Sequence, residues 1–151
     1  MSQGLAAFDV HEGVRAVFNR VAHTPTAHFR FGVGASLARE IGYSETVITG
    51  LPAAVTESFT GLADLHPHLR LRPGEHVLDL GSGAGLDAIV AARAVSPGGA
   101  VTGLDMAEAM VAKAPRAAEL TDTPNVSFER GDAESMPFLD ISGAYALDSL
   151  R

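Results

Sequence analysis

The chain has 151 residues, enough for one domain with its own hydrophobic core and too few for two domains of ordinary size. Its 11 basic and 18 acidic residues give a net charge of −7, with no basic cluster that would bind a nucleic acid. Cysteine is absent, which excludes disulfides, thiolate metal ligands and a cysteine nucleophile within this chain. The first residues lack the basic start and apolar run of a secretory signal, and no stretch has the ~18 apolar residues of a membrane span, so we expect a cytoplasmic protein without a membrane partner.

Residues 1–70 are predicted to form an N-terminal helical cap. Apolar residues recur at helix-like intervals over residues 5–21, and a Thr-Pro step ends that pattern. A second helix is expected over residues 35–41. Ser44 and Pro52 are residue types that begin helices, which predicts two further helix starts.

Residues 71–151 are predicted to form the cofactor-binding half of an α/β domain. Strands are expected at residues 76–80, 100–104 and 125–129, with a helix between each pair. This alternation is typical of a parallel sheet, because each parallel connection needs a crossover. We therefore predict a Rossmann-like parallel sheet of three to four strands. Pro115 lies inside the second crossover helix, where a kink or break is expected because proline costs about 3 kcal/mol in a helix interior.

A glycine-rich segment carries the strongest functional signal. Residues 79–85 read DLGSGAG between the first strand and its helix. Alternate glycines let the backbone turn tightly and bring amide groups against an anionic or carboxylate-bearing ligand. The dinucleotide pattern would need a glycine where Leu86 stands, which disfavours NAD. Asp79 could bind an ammonium group, so a ligand with both amino and carboxylate groups is favoured.

Acidic residues also follow the next two predicted strands. Asp105 ends the second strand at roughly the ~20-residue spacing from the loop at which a carboxylate binds ribose hydroxyls. Asp132 and Glu134 follow the third strand. Because the carboxyl ends of parallel strands meet at one edge of a sheet, we expect the acidic strand ends to converge on one crevice.

Together these segments resemble the successive cofactor motifs of class I S-adenosylmethionine-dependent methyltransferases. The closer resemblance is to the arsenite-methyltransferase-like branch, through residues 42–45 (GYSE), 71–75 (LRPGE), 86–87 (LD) and 103–106 (GLDM). It covers roughly residues 28–138. The resemblance implies S-adenosylmethionine as the cofactor and a small molecule as the methyl acceptor.

The resemblance also implies residue roles. The glycine loop and Asp79 would hold the methionine moiety, and Asp105 would hold the ribose. Met106 would pack on adenine, while Asp132 and Ala133 would contact its edge. The predicted cofactor-binding residues are Asp79, Gly81, Ser82, Gly83, Gly85, Asp105, Met106, Asp132 and Ala133. No catalytic acid or base is assigned, because alignment of the reactants is the main requirement of methyl transfer.

The methyl acceptor is not expected to be arsenite. Arsenite methyltransferases bind the metalloid through cysteine thiolates, one of them in a segment before the first strand, where this chain has Thr60. A soft metalloid needs sulfur ligands. His66 and His68 are expected to be surface residues, and no metal site is predicted.

After Phe138 the family's usual continuation is not recognisable, so the sequence reads as truncated within a possible fourth strand. We expect one side of the first strand to lack its partner, leaving an edge that a second copy or a partner chain would cover. The predicted function is S-adenosylmethionine-dependent methylation of a small molecule. The alternative is a non-catalytic remnant that binds the cofactor weakly or serves as an interaction module.

Overall fold

The computed structural model describes residues 9–136 and the backbone of residues 144–148. Within these residues, five helices precede the first strand: α1 (Val10–His23), α2 (Ala35–Glu40), α3 (Glu45–Thr49), α4 (Ala53–Thr56) and α5 (His66–Leu69). An alternating part follows: β1 (His76–Leu80), α6 (Leu86–Ala94), β2 (Ala100–Asp105), α7 (Glu108–Leu120), β3 (Val126–Arg130) and β4 (Ala144–Asp148). The predicted order of helices first and strand-helix alternation second is confirmed.

Polar side chains begin two of the cap helices. The Asp9 carboxylate accepts hydrogen bonds from the amides of His11 and Glu12 at the start of α1. Ser44 accepts one from the Val47 amide at 3.3 Å, which confirms the predicted start of α3. Residues 5–8, the expected beginning of the first helix, lie outside the described residues.

The four strands form one parallel sheet in the order β3-β2-β1-β4. The predicted Rossmann-like α/β class is confirmed. The expectation that one side of β1 lacks a partner is wrong, because β4 pairs with all five residues of β1, from His76↔Ala144 to Leu80↔Asp148. Five residues are long enough to complete that ladder. The unpaired edge that argued for a second copy or a partner chain is therefore absent from β1. Such a partner stays a prediction.

Helix α7 runs unbroken from Glu108 to Leu120 through Pro115. The expected break at Pro115 is therefore wrong, and the alternative expectation of a kink stays a prediction. Pro115 is exposed, whereas its neighbour Ala114 is buried together with Met110 and Ala117 on the inner face of the helix. Burial of that face stabilises the helix more than the missing donor destabilises it, since packing supplies most helix stability in proteins.

The cap helices share hydrophobic clusters with the sheet part. Val55 of α4 and Ile48 of α3 belong to one cluster with Leu86 and Ile89 of α6. Val21 of α1 belongs to another, whose members include Ala84 of the glycine loop and Met110 of α7. The cap is thus packed over the carboxyl end of the sheet, beside the glycine loop. A domain boundary at residue 70 stays a prediction.

Candidate functional site

The glycine loop joins β1 to α6 through a turn that only glycine adopts without strain. Gly85 has φ +97°, and a Cβ placed there would lie 2.7 Å from Cζ of Phe128. Both the left-handed backbone and the close approach of β3 therefore require glycine at this position. The loop is consequently fixed in shape by packing as well as by sequence.

The loop amides are largely used within the protein. Gly81 and Ser82 both donate to the carbonyl oxygen of Leu104, at 2.8 and 3.0 Å. The Gly83 amide donates to Oδ2 of Asp105 at 2.9 Å, and the Gly85 amide to the Ser82 carbonyl at 3.0 Å. Sequence reasoning expected amides of this loop to face a ligand carboxylate, whereas three of these four bind the loop to the end of β2 and the fourth closes a turn within the loop.

Asp105 connects the loop to the next helix. Its Oδ1 accepts from the Ala107 amide at 2.8 Å, immediately before α7. Burial raises the pKa of Asp105, and the hydrogen bonds from Ala107 and Gly83 oppose that effect. A carboxylate has about four lone-pair sites, so Asp105 keeps capacity for ligand hydroxyl groups.

A cavity of about 430 Å³ lies between the carboxyl end of the sheet and the cap. Seven of the nine predicted cofactor residues line it: Gly81, Ser82, Gly83, Asp105, Met106, Asp132 and Ala133. The loop and the ends of β2 and β3 thus contribute to one shared space. The roles of these residues stay predictions.

Two predicted site residues, Asp79 and Gly85, do not line this cavity. Asp79 is only 1% exposed, and its Oδ2 has no hydrogen-bond partner among the described residues. Burial raises the pKa of Asp79 well above its usual range, and the nearby carboxylates of Asp87 and Asp105 raise it further. Ionising this carboxyl group therefore costs more free energy in the folded chain than in the unfolded one.

The opposite wall of the cavity comes from the cap and is mainly apolar. Helix α1 contributes His11, Val14 and Phe18, and residues 55–61 contribute a second stretch that includes Phe59 and Thr60. Sequence reasoning did not predict this wall. The amphipathic pattern of α1 identified it as a packed helix without indicating what it covers.

A second group that sequence reasoning missed surrounds Asp87 in the first turn of α6. The Tyr43 hydroxyl donates to its Oδ1, and Nε2 of His66 lies 3.0 Å from the same oxygen. His66 was expected on the surface, and that expectation is wrong: its side chain is 14% exposed because α5 places it against Asp87 and Tyr43. Burial, followed by the Asp87 carboxylate, raises the pKa of the Tyr43 hydroxyl. The sequence signal that could have indicated this group is Asp87 itself, an acidic residue in the helical turn that directly follows the glycine loop.

The ionisable side chains that line the cavity are four carboxyl groups and one imidazole: Asp87, Asp105, Asp132, Glu134 and His11. Among the described residues, the lining includes no lysine or arginine. His11 pairs with Asp132, with Nδ1 and Oδ2 3.3 Å apart. A cavity lined in this way attracts cationic ligands more strongly than anionic ones.

The described part of the chain contains no cluster of three or more histidine, aspartate or glutamate side chains that could hold a metal ion. Within the same part, every helix is too short or too polar to span a bilayer.

Residues 71–145 match the family described as "Methyltransferase domain". Over 72 residues the chain is 46% identical to an arsenite methyltransferase from Halobacterium salinarum, a match that covers 48% of this chain and 18% of that protein. Over 70 residues it is 39% identical to the 2-phytyl-1,4-naphtoquinone methyltransferase of Synechococcus elongatus, covering 46% of this chain and 30% of that one. The chain spans less than a third of the length of each relative.

A solved structure shows the same fold at low sequence identity. Phosphoethanolamine N-methyltransferase 1 of Haemonchus contortus, solved with phosphoethanolamine and S-adenosylhomocysteine, superposes with a TM-score of 0.53 at 18% identity. The match covers 85% of this chain and 22% of that chain. That likeness concerns the fold. The sequence matches over the glycine loop and the following strands show the family: the chain belongs to the class I S-adenosylmethionine-dependent methyltransferases.

Proposed function

We propose that this chain binds S-adenosylmethionine in the cavity beside the glycine loop and transfers its methyl group to a small molecule. One observation carries the proposal: the loop, Asp105 and Asp132 line a single cavity whose charged side chains include four carboxylates and no lysine or arginine. S-adenosylmethionine bears a sulfonium and an ammonium against one carboxylate, so it is cationic. NAD bears two phosphate charges, which these carboxylates would repel.

The residues present fit such a ligand. The buried Oγ of Ser82 has no hydrogen-bond partner among the described residues, and Ser82 lines the cavity. A Cβ built on Gly83 would meet no atom within 4 Å, so the loop leaves open space beside it. We assign the methionine moiety to this loop, the ribose to Asp105, and the adenine to Met106, Asp132 and Ala133.

When bound, S-adenosylmethionine supplies an electrophilic methyl group. The protein's own contribution is to orient the acceptor and exclude water, and good orientation contributes about 7–11 kcal/mol to such reactions. Phe18, Phe59 and Met110 form apolar surface on the cavity wall for that purpose. No side chain is assigned as a catalytic acid or base.

A small-molecule acceptor is supported by the size of the cavity and by the names of two relatives, which methylate arsenite and a naphtoquinone. Thr60 lines the cavity in the segment where an arsenite enzyme carries a cysteine. A hydroxyl is a poor ligand for a soft metalloid. The proposal therefore favours an organic acceptor over arsenite.

Calorimetric titration of the 151-residue chain with S-adenosylmethionine, S-adenosylhomocysteine and NAD tests the proposal. We expect the first two ligands to bind at one site per chain and NAD to bind at least about tenfold more weakly, a difference of about 1.4 kcal/mol. Absence of binding by both adenosyl ligands, or equal binding of NAD, would contradict it. Transfer of a labelled methyl group to organic acceptors would then test turnover.

A further inference from the structure

We infer that Asp87, positioned by Tyr43 and His66, is the carboxylate that binds the α-ammonium group of the methionine moiety. The inference rests on the proposed function and deepens it by naming a cofactor-binding residue that the glycine motif does not include. It replaces the role that sequence reasoning gave to Asp79.

Asp79 is poorly placed for an ammonium group. Its side chain is 1% exposed, and Asp79 is absent from the cavity lining. An isolated buried carboxylate is costly to ionise, and burial together with Asp87 and Asp105 raises the pKa of Asp79. A ligand in the cavity therefore does not reach the Asp79 carboxyl group in this arrangement.

Asp87 lies directly after the glycine loop, in the first turn of α6. It follows Gly85 by two residues, lines the cavity and has a side chain that is 20% exposed. Its charge also raises the pKa of Asp79, as does the charge of Asp105. Of Asp79 and Asp87, Asp87 is the one that a ligand in the cavity can contact.

The partners of Asp87 fix its orientation and leave one oxygen available. Tyr43 and His66 both contact Oδ1, and the described residues place no hydrogen-bond donor on Oδ2. The Tyr43 ring is buried and packs edge-on against Phe59 and His66, with centroids 5.3 and 6.1 Å apart. The carboxylate is therefore held before a ligand arrives, which reduces the entropy lost on binding.

The other carboxylates of the lining have different surroundings. Both oxygens of Asp105 accept backbone hydrogen bonds, from Gly83 and Ala107. Asp132 pairs with His11 of α1 at the end of β3, on the far side of β2 from the loop. Among the described residues, the lining includes no lysine or arginine that would pair with Asp87.

The test compares two ligands that differ only at the amino group. S-adenosylhomocysteine carries it, and desamino-S-adenosylhomocysteine keeps the carboxylate but lacks it. We expect the wild-type chain to bind the amino ligand about tenfold more tightly or better, because a charged hydrogen bond contributes about 1.5–3 kcal/mol. In Asp87→Asn this preference should fall to less than about threefold, because the amino ligand loses its charged partner and the anionic desamino ligand is no longer repelled.

Two further variants sharpen the result. Tyr43→Phe removes a donor from Asp87 but keeps the carboxylate, so the preference should fall only in part. Glu119→Gln changes the charge by the same amount on the exposed face of α7, outside the cavity lining, and should leave the preference unchanged. Because the preference is a ratio measured on one protein, a partly unfolded sample does not change it.

The inference is overturned if Asp87→Asn keeps the wild-type preference, or if Asp79→Asn loses it instead. Should Asp87→Asn fail to fold, the same decision comes from Tyr43→Phe, whose preference must fall for the inference to stand. Binding of neither ligand by the wild-type chain would reject the proposed function itself. Tight binding of both ligands with equal affinity would reject the role of Asp87 alone.

Discussion

The carboxylate of Asp105 accepts a hydrogen bond from the amide of Gly83, with Oδ2 and N 2.9 Å apart, and so ties the end of β2 to the loop that follows β1. Its second oxygen accepts from the Ala107 amide at 2.8 Å, beside the start of α7. One side chain thus sets the position of the loop and of a helix N-terminus. In the proposed function the same carboxylate also binds the ribose.

Asp105→Ala should therefore impair both stability and binding. Loss of two backbone caps is expected to lower the free energy of unfolding by about 1–3 kcal/mol. Affinity for S-adenosylhomocysteine should fall by at least about tenfold, because the ribose loses its acceptor. Urea unfolding and calorimetry would measure the two effects. Exposed Asp122→Ala is the control, and an equal loss of binding in that variant would argue against a specific role for Asp105.

Gly85→Ala should destabilise the chain more than a substitution that changes only backbone conformation. An added Cβ at Gly85 would lie 2.7 Å from Phe128, whereas one at Gly74, with a similar φ of +89°, would meet nothing within 4 Å. We expect the free energy of unfolding to fall by about 2–4 kcal/mol in Gly85→Ala and by about 1 kcal/mol in Gly74→Ala. Equal losses in urea unfolding would show that β3 does not press against the loop.

Asp79→Asn should stabilise the chain at neutral pH and not at acid pH. The folded pKa of Asp79 is raised, so the stability that its protonated form contributes is complete below the unfolded pKa of about 3.9 and is lost as the pH rises toward the folded pKa. The stability gap between variant and wild type should grow above pH ~4 by up to about 1.4 kcal/mol per pH unit. A gap that does not change between pH 4 and 7 would contradict a raised pKa.

Pro115→Ala should raise the stability of the chain. The helix continues through Pro115, which is exposed, so alanine restores a backbone donor without removing buried surface. We expect the free energy of unfolding to rise by about 1–3 kcal/mol. The rise is reduced because proline restricts the unfolded chain and so stabilises the folded one. Thermal unfolding would measure it. A neutral or unfavourable effect would mean that the helix is already adapted to the missing bond.

Local sequence signals predicted most of the fold because the strands and their crossovers are encoded by adjacent residues. The strands expected at residues 76–80 and 100–104 are observed at His76–Leu80 and Ala100–Asp105, and a helix follows each of them as expected. Pro115 was misjudged because propensity is a local quantity, while the buried face of α7 depends on the sheet beneath it. The partner of β1 was missed because residues 144–148 are a short segment without family resemblance.

The same contrast holds for the site. The sequence predicted that residues at strand ends, such as Asp105 and Asp132, would line one site, because the carboxyl ends of parallel strands share an edge of the sheet. The contacts of Asp87 with Tyr43 and His66 join positions 44 and 21 residues apart, through short cap helices whose packing the sequence pattern does not specify. Asp79 is likewise buried in β1, which lies between β2 and β4 in the sheet.

The most direct test of the account is a crystal structure of the chain with S-adenosylhomocysteine. We predict the ribose hydroxyls within hydrogen-bond distance of the Asp105 carboxylate, and the amino-acid end of the ligand beside residues 81–87. Ligand bound elsewhere, or in this cavity with its ribose away from Asp105, would contradict the proposed site.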